Sequence, residues 1–248
     1  MSMVLVEHQG NVAVLTLNNG VTNAIGPALV NELSGNLHEI RSHTSGMVLC
    51  GGEKFFSIGF DLPVLITMNR PEMSDFFYQF NQLTLDLYTV PFPSACAVAG
   101  HAIAGGNIFA LTSDYRVAVF EPKKIGVNEI RLGLPVPYLP DMILRQIVGD
   151  RAATRMLYTG EFLSLADAAS IGLIDEMFPA ERLRKAAIEK VAGLAALDKK
   201  AFSAIKMNRV ETIKESYERN GRAKNEFFLD CWFSESTQKI LKATSEKF

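Results

Sequence analysis

Short apolar segments alternate with amphipathic helical segments over the first 120 residues, and this alternation limits the folds open to the chain. Residues 3–19 predict two strands around a polar turn at Gln9-Gly10-Asn11. The helical stripe that follows consists of Leu29, Leu33, Leu37 and Ile40. Strands over residues 46–50, 94–100 and 115–120 enclose a helical region at 71–90. Alternating strands and helices indicate an α/β layer architecture rather than separate all-β and all-α parts.

The pattern changes after Pro140. A helix pair broken around Gly149 precedes a short helix for which Ser164 is a suitable N-cap. A last short strand ends at Phe178, and from Pro179 onward the pattern is almost wholly helical. We therefore divide the chain into an α/β core, residues 1–178, and a helical C-terminal part, residues 179–248. A helical part of roughly 70 residues is small for a core of its own, so we expect it to pack on the body or on a neighbouring subunit.

Composition and charge narrow the class of protein. The 248 residues are 48% hydrophobic and carry a net charge of −2 without a Lys/Arg run, which disfavours nucleic acid as a partner. Cys50, Cys96 and Cys231 lack a C-x-x-C spacing, so we expect packed thiols rather than disulfides or a metal site. The chain shows neither a secretory signal nor an apolar run of membrane-spanning length, and we expect a cytoplasmic protein without a membrane partner.

Two glycine-containing segments could present backbone amides to a ligand. In FFSIGFDL, residues 55–62, Gly59 permits a backbone geometry that lets neighbouring N–H groups point into a cleft. An ordinary turn explains this segment about equally well. In AGHAIAGGNIF, residues 99–109, a helix beginning at Gly105-Gly106 offers free N–H groups and the positive end of its dipole to an oxyanion. Close packing of the helix against a strand is the alternative for that glycine pair.

A third segment, KIGVNEIRLGLPVP at residues 124–137, places Glu129 among apolar residues. Partial burial of a carboxylate raises its pKa towards the range useful for proton transfer. A pairing of Glu129 with Arg131 or Arg116 is the equally weighted alternative. His101 has no serine or cysteine partner at a recognisable nucleophile motif, so we interpret it as a packed histidine.

Together, in this order and spacing, the three segments resemble the enoyl-CoA hydratase/isomerase (crotonase) superfamily, and the resemblance runs through nearly the whole chain. It implies a spiral of ββα units with a helical C-terminal oligomerisation region, assembled as a homo-trimer or a dimer of trimers. It also implies an acyl-CoA thioester substrate. No metal or separate cofactor is then expected, because coenzyme A enters only as part of the substrate.

The resemblance also assigns roles to individual residues. The backbone N–H groups of Phe60 and Gly105 would bind the thioester oxygen of the enolate, and Glu129 would move the proton. Coenzyme A would lie along the loop around Gly59 and beside the start of the glycine helix. Its expected contacts are Ser57, Ile58, Gly59, Asp61 and Gly106.

The position of Ile108 separates the activities within this superfamily. Hydratases of the family carry their first glutamate three residues after the oxyanion glycine, where this chain has isoleucine. An apolar side chain neither accepts a proton nor positions water, so we predict a Δ3,Δ2-enoyl-CoA isomerase in which Glu129 is the sole acid/base. Ile108, Leu132 and Leu134 would keep water from the dienolate.

Several alternatives stay open at this point. They are a weak hydratase, another lyase or hydrolase of the family, and a non-catalytic paralogue that binds acyl-CoA. The aromatic segment at residues 73–80 lines an acyl channel in one interpretation and packs in the core in the other.

Overall fold

A computed structural model describes residues 2–246 and contains ten strands, nine α-helices and one 3-10 turn over that range. The strands are β1 (Val4–Gln9), β2 (Val12–Leu17), β3 (Gly46–Cys50), β4 (Phe55–Ser57), β5 (Ser94–Val98), β6 (His101–Ile103), β7 (Tyr115–Val119), β8 (Lys124–Gly126), β9 (Leu163–Ser164) and β10 (Glu176–Phe178). The helices are α1 (Pro27–Ile40), α2 (Leu62–Leu65), α3 (Arg70–Tyr88), α4 (Gly105–Leu111), α5 (Tyr138–Thr159), α6 (Leu165–Ser170), α7 (Ala180–Ala195), α8 (Lys199–Trp232) and α9 (Glu235–Ser245). The 3-10 turn spans Glu129–Leu132.

The larger sheet has six strands in the order β1-β2-β3-β5-β7-β10. Only the β1–β2 pair is antiparallel, joined by the turn expected at Gly10; the other pairs are parallel. Every residue of β3 and β5 is buried, which fits their largely apolar sequences because parallel strands are covered on both faces. The strands expected over residues 46–50, 94–100 and 115–120 are therefore confirmed.

A second, smaller sheet positions the three segments of interest. Its strand order is β4-β6-β8-β9, with β4, β6 and β8 parallel to one another. The glycine loop follows β4, helix α4 follows β6, and the segment with Glu129 follows β8. Because the carboxyl ends of parallel strands meet at one edge of a sheet, segments some seventy residues apart in sequence converge there.

Three features that the sequence predicted for individual helices are also confirmed. The stripe of α1 is buried, the Ser164 hydroxyl accepts a hydrogen bond from the Asp167 amide at 3.0 Å, and Gly149 interrupts α5 with φ 77°. Helix α7 packs on the larger sheet, α8 lies along α3 and α5, and α9 contacts α2 and the 3-10 turn. The proposed division of the chain falls between β10 and α7 and stays a prediction. None of the helices within residues 2–246 is long and apolar enough to cross a membrane.

A buried ion pair fastens α8 to the larger sheet. The Lys206 Nζ donates to Asp114 Oδ2 at 2.7 Å and to the Phe92 carbonyl oxygen at 2.9 Å. Lys206 is 3% exposed, and burial lowers the pKa of its ammonium group to about 8 although Asp114 opposes that shift. Arg209, one turn further along α8, pairs with the other carboxylate oxygen of Asp114 at 2.6 Å. The C-terminal helices are thus held in one position relative to the sheet edge where the segments converge.

Candidate functional site

Two backbone turns approach each other at the edge of the smaller sheet. Gly59 has φ +95°, and a Cβ built there would lie 2.9 Å from the Ala104 Cβ and 3.0 Å from the Gly105 amide nitrogen. A side chain at residue 59 would therefore be strained and would also push the two turns apart. The Gly59 amide donates to the Ser57 hydroxyl at 3.1 Å, which holds the loop in this shape. This packing is compatible with both interpretations of the segment, an ordinary turn and a loop that presents backbone N–H groups to a ligand.

The amides of Phe60 and Gly105 are available at this junction. The Phe60 N–H makes no hydrogen bond with another residue of the described chain, while its neighbours do: the Asp61 N–H donates to the Ile25 carbonyl at 3.0 Å. Gly105 is the first residue of α4, where an amide has no acceptor within the helix. Ala104 before it has φ 48° and ψ −118°, a sparsely populated conformation that turns the chain sharply from β6 into α4. The helix start predicted at Gly105 is confirmed.

Gly106 has a packing role. A Cβ built on it would overlap the carbonyl oxygen of Ser57, so α4 approaches β4 as closely as a backbone can. Ser57 is fully buried, and its hydroxyl donates to the Asn23 carbonyl at 2.7 Å. The Asp61 carboxylate accepts from the Val64 amide at 3.3 Å and caps α2. Close packing thus accounts for one glycine of the pair, and any contact of these residues with coenzyme A stays a prediction.

A cavity of about 280 Å³ opens beside the two free amides. Its wall is almost entirely apolar and comes from the loop after β4, the start of α4, the segment after β8 and the C-terminal helices. Of the predicted site residues, Ile58, Phe60, Gly105 and Glu129 line it. Ser57, Gly59, Asp61 and Gly106 lie outside its wall. The side chains that complete it include Ile108, Asn128, Leu132, Leu134, Phe228, Trp232 and Thr244.

Glu129 provides the carboxylate of this cavity. It begins the 3-10 turn, is 7% exposed, and its Oε2 atom has no hydrogen-bond partner within the described chain. Burial raises the pKa of Glu129 to about 7, although hydrogen bonds from nearby backbone amides act in the opposite direction. The carboxyl group therefore exchanges a proton near neutral pH.

The two arginines considered as partners for Glu129 bind elsewhere. Arg116 pairs with Asp175 at 3.1 Å, and its guanidinium also donates to the carbonyls of Leu173 and Ser113. The Arg131 guanidinium donates to the Thr159 carbonyl at 2.8 Å and lies 3.9 Å from the Glu161 carboxylate. Of the two interpretations of Glu129, the structure favours the partly desolvated acid over the paired one.

The aromatic segment at residues 73–80 lies one layer behind the cavity wall. Phe76 and Phe80 are buried, and both pack edge-on against the Phe60 ring, at centroid distances of 5.2 Å and 4.8 Å. Tyr78 faces outward and is 65% exposed. This supports the core-packing interpretation, in which the segment fixes the Phe60 ring beside its own amide.

His101 also matches its interpretation as a packed residue. Its Nδ1 accepts a hydrogen bond from the Lys124 amide at 2.9 Å, and its ring lies 5.3 Å from the Phe55 ring. It therefore links β6 to β8. No group of three His, Cys, Asp or Glu side chains between residues 2 and 246 is arranged to hold a metal ion.

Sequence reasoning missed the residues that the C-terminal helices contribute. Phe228 and Trp232, from the end of α8, and Thr244, from α9, line the cavity although they lie about a hundred residues from Glu129. The signal that could have revealed them is the apolar run FFLDCWF within a largely polar helix. Asn128 was missed as well; its Oδ1 atom is buried without a partner in the described structure.

This arrangement can stabilise an enolate and move a proton. Two backbone donors beside an apolar cavity bind a developing oxyanion without reorganisation of water. A carboxyl group with a pKa near 7 both removes and returns a proton at neutral pH. The chemistry that needs these two elements is proton abstraction next to a carbonyl.

Comparisons with known proteins agree with this chemistry. A family model described as enoyl-CoA hydratase/isomerase matches residues 7–248. The mitochondrial enoyl-CoA delta isomerase 1 of Mus musculus is 34% identical over 193 residues, which cover 74% of this chain and 66% of that protein, just under two thirds of its length. A probable enoyl-CoA hydratase, EchA17 of Mycobacterium tuberculosis, is 31% identical over 66% of this chain and 64% of that protein.

The solved structures include a close structural relative. The crystal structure of human mitochondrial delta3-delta2-enoyl-CoA isomerase superposes with a TM-score of 0.95 at 27% identity, over 99% of this chain and 97% of that one. The likeness covers the C-terminal helices as well as the two sheets. It confirms the fold class expected from the sequence.

Proposed function

Because the chain belongs to the enoyl-CoA hydratase/isomerase family, we propose that it is an enzyme that converts 3-enoyl-CoA thioesters to their 2-enoyl isomers. The observation that carries the proposal is that Glu129 provides the only carboxylate among the cavity-lining residues between positions 2 and 246. Ile108, not a second glutamate, accompanies it. One carboxylate suffices for proton shuttling. Addition of water, in contrast, uses two glutamates in the hydratases of this family to hold and activate the water molecule, and the cavity wall has isoleucine where the first would stand.

In the proposed reaction, the ionised Glu129 carboxylate removes a proton from C2 of the substrate. The electron pair of the broken C–H bond delocalises through the thioester carbonyl and the 3,4-double bond, giving a dienolate. The N–H groups of Phe60 and Gly105 donate to its oxygen, and each such donor is worth about 3–4 kcal/mol in the transition state. Glu129 then returns the same proton to C4, the double bond moves to C2–C3, and the carboxylate is regenerated.

The apolar wall supports this outcome. Ile108 is 1% exposed and Leu134 is 3% exposed, so the reacting carbons meet hydrocarbon rather than bulk water. Exclusion of solvent strengthens the two amide hydrogen bonds and limits protonation of the dienolate by water, so that Glu129 is the group that returns the proton.

Purified protein incubated with a 3-enoyl-CoA and, in parallel, with the matching 2-enoyl-CoA tests the proposal. We expect formation of the 2-enoyl product and slow hydration, with a loss of roughly 10²–10⁴-fold in kcat for Glu129→Gln. Glu161→Gln is the matched control, because that carboxylate is exposed and lies outside the cavity wall. Hydration of the 2-enoyl substrate faster than isomerisation would favour a hydratase, the activity for which EchA17 is named. Binding without either reaction would leave a non-catalytic acyl-CoA-binding protein.

Assembly, location and metabolic role belong to the same proposal. We propose a homo-trimer or dimer of trimers built through the C-terminal helices, which is supported by the exposed apolar side chains Ile205 (71%) and Phe227 (60%) on α8. Sedimentation velocity of the full chain measures the oligomeric state directly.

We propose a cytoplasmic location and a role in fatty acid metabolism, whereas the mouse relative is named as mitochondrial. Coenzyme A takes part only as the thioester of the substrate, and no metal or other cofactor is used.

A further inference from the structure

The last turn of α8 forms a wall of the cavity. Trp232 is the final residue of that helix, is fully buried, and lines the cavity together with Phe228 from the preceding turn. This wall is contributed by the C-terminal helices, whereas Phe60, Gly105 and Glu129 are contributed by the smaller sheet and its loops.

The aromatic wall is held rigidly. The Phe228 ring stacks on Phe77 of α3 at a centroid distance of 4.0 Å with 11° between the ring planes. The Trp232 ring continues this stack, with its centroid 6.2 Å from that of Phe228. The Trp232 carbonyl accepts a hydrogen bond from the Gln238 side chain at 2.8 Å, which fixes the connection to α9. Movement of the indole ring would therefore require displacement of neighbouring helices.

Trp232 contributes through its shape. Its indole Nε1 is buried and has no hydrogen-bond partner in the described structure. Replacement of the ring by an apolar side chain thus leaves no acceptor unsatisfied, and its main effect is on the space available in the cavity. Such a residue is suited to limit the length of a ligand.

The size of the cavity indicates which ligands fit. A volume of about 280 Å³ lies at the lower end of the range for small-molecule pockets, which is roughly 300–1,000 Å³. The same space also has to hold the thioester carbonyl beside Phe60 and Gly105. The room that remains therefore suits a short or medium acyl chain better than a long one.

We propose that Trp232 sets the upper limit of acyl length, so that the protein selects short- and medium-chain acyl-CoA thioesters over long-chain ones. This inference rests on the proposed function for the identity of the ligand as an acyl-CoA. It goes beyond that function by naming the residue that determines substrate class.

Binding of saturated acyl-CoA thioesters tests the inference independently of turnover. Isothermal titration calorimetry of the full chain with octanoyl-CoA, dodecanoyl-CoA and hexadecanoyl-CoA gives the length profile. We expect the wild-type protein to bind octanoyl-CoA at least about ten-fold more tightly than dodecanoyl-CoA, since one methylene in a closed pocket already discriminates by about that factor. Trp232→Leu shortens the wall, and we expect it to shift the dodecanoyl-to-octanoyl ratio by about ten-fold or more in favour of the longer chain.

Two further variants separate wall size from general perturbation of the helix. Trp232→Phe retains an aromatic ring and is expected to give a shift smaller than that of Trp232→Leu. Arg219→Ala removes an exposed side chain of α8 that lies outside the cavity wall, and it is expected to leave the ratio unchanged. If Trp232→Leu does not fold, the length profile of the wild-type protein and the affinity ratio of Trp232→Phe still test the inference.

Fluorescence provides a direct readout of the contact, because Trp232 is the only tryptophan in the chain. Octanoyl-CoA is expected to change its emission, and coenzyme A without an acyl group is expected not to. Equal affinity for all three chain lengths, an unchanged ratio in both Trp232 variants, or no emission change with octanoyl-CoA would overturn the inference. A length-dependent affinity that shifts in the variants, without isomerisation of any 3-enoyl-CoA, would support it while the proposed function fails.

Discussion

The carbonyl oxygen of Ser57 occupies the space that a Cβ on Gly106 would need. Gly106→Ala is therefore expected to push α4 away from β4, at a cost of about 1–3 kcal/mol in the free energy of unfolding. The same displacement moves the Gly105 amide relative to the Phe60 amide, so kcat is expected to fall more than KM changes. Urea unfolding and steady-state kinetics measure the two effects.

Gly35 provides the matched control for that substitution. It lies exposed within α1, and nothing stands within 4 Å of a Cβ built there. Gly35→Ala is expected to stabilise the protein by about 0.5–1 kcal/mol and to leave activity unchanged. Equal effects of the two alanine substitutions would contradict the packing role assigned to Gly106.

The pH dependence of activity follows from the environment of Glu129. Its carboxylate must be ionised to accept the C2 proton, and burial raises the pKa of that group to about 7. We expect kcat/KM to rise with pH through a midpoint near 7 and then to reach a plateau. A midpoint near 4.5, the ordinary value for a glutamate, would contradict the raised pKa of Glu129. An unchanged midpoint in the residual activity of Glu129→Gln would exclude Glu129 as the titrating base.

The same pKa predicts an effect on stability. Above pH 7 the folded protein holds a buried negative charge, whereas below about pH 4.5 the carboxyl is protonated in both folded and unfolded states. Glu129→Gln removes this charge. The variant is expected to exceed the wild type in free energy of unfolding by about 3 kcal/mol above pH 7, at 1.36 kcal/mol per pKa unit. The difference should disappear as the pH falls towards 4.5, and thermal unfolding at pH 5 and pH 8 is the simplest comparison.

Ile108 is expected to control the choice between isomerisation and hydration. Ile108→Glu places a second carboxyl in the cavity, which can hold a water molecule next to the substrate. We expect hydration of a 2-enoyl-CoA to increase by about 10²-fold, the lower end of the range for a positioned acid–base group. Ile108→Leu, which changes shape without adding a polar group, should show no such gain. A gain of equal size in both variants would indicate that pocket shape and not the carboxyl decides.

The Asp114–Lys206 pair is expected to stabilise the docking of α8. Asp114→Asn removes the carboxylate that pairs with Lys206, a side chain that is 3% exposed. Loss of one partner of a buried ion pair lowers the free energy of unfolding by about 3–5 kcal/mol. The deficit should be smaller at pH 9 than at pH 7, because the wild-type Lys206, with a pKa of about 8, loses its own charge in that interval. Asp230→Asn breaks an exposed pair with Arg70 and should cost less than about 1 kcal/mol by urea unfolding.

Periodicity predicted the regular elements because most of them depend on local patterns. The buried stripe of α1 and the largely apolar β3 and β5 can each be recognised within about a dozen residues of sequence. The short strands of the smaller sheet are not: β6 and β8 have three residues each and β9 has two. Segments of that length carry no measurable periodicity, and their pairing depends on contacts made elsewhere in the chain.

The candidate site was predictable in part for the same reason. Gly59, Gly105 and Glu129 each lie in a short segment whose composition is unusual by itself. Trp232 is brought to the cavity only by the path of a 34-residue helix, and no local pattern near Glu129 indicates this. Phe228 depends in addition on its stacking partner in α3. Contacts between residues so far apart in sequence become visible only in the three-dimensional structure.

The docking of α9 has a consequence for how the protein is made. The Thr237 hydroxyl donates to the Gly133 carbonyl at 3.1 Å, directly behind the turn that carries Glu129, and Thr244 helps to line the cavity. Because α9 follows the segments with Gly59, Gly105 and Glu129 in the chain, the ribosome synthesises it after them. A nascent chain still lacking α9 would thus carry every group assigned to proton transfer but would lack the part of the cavity wall that Thr244 contributes. The enclosed site would therefore form only after α9 has been made and has docked.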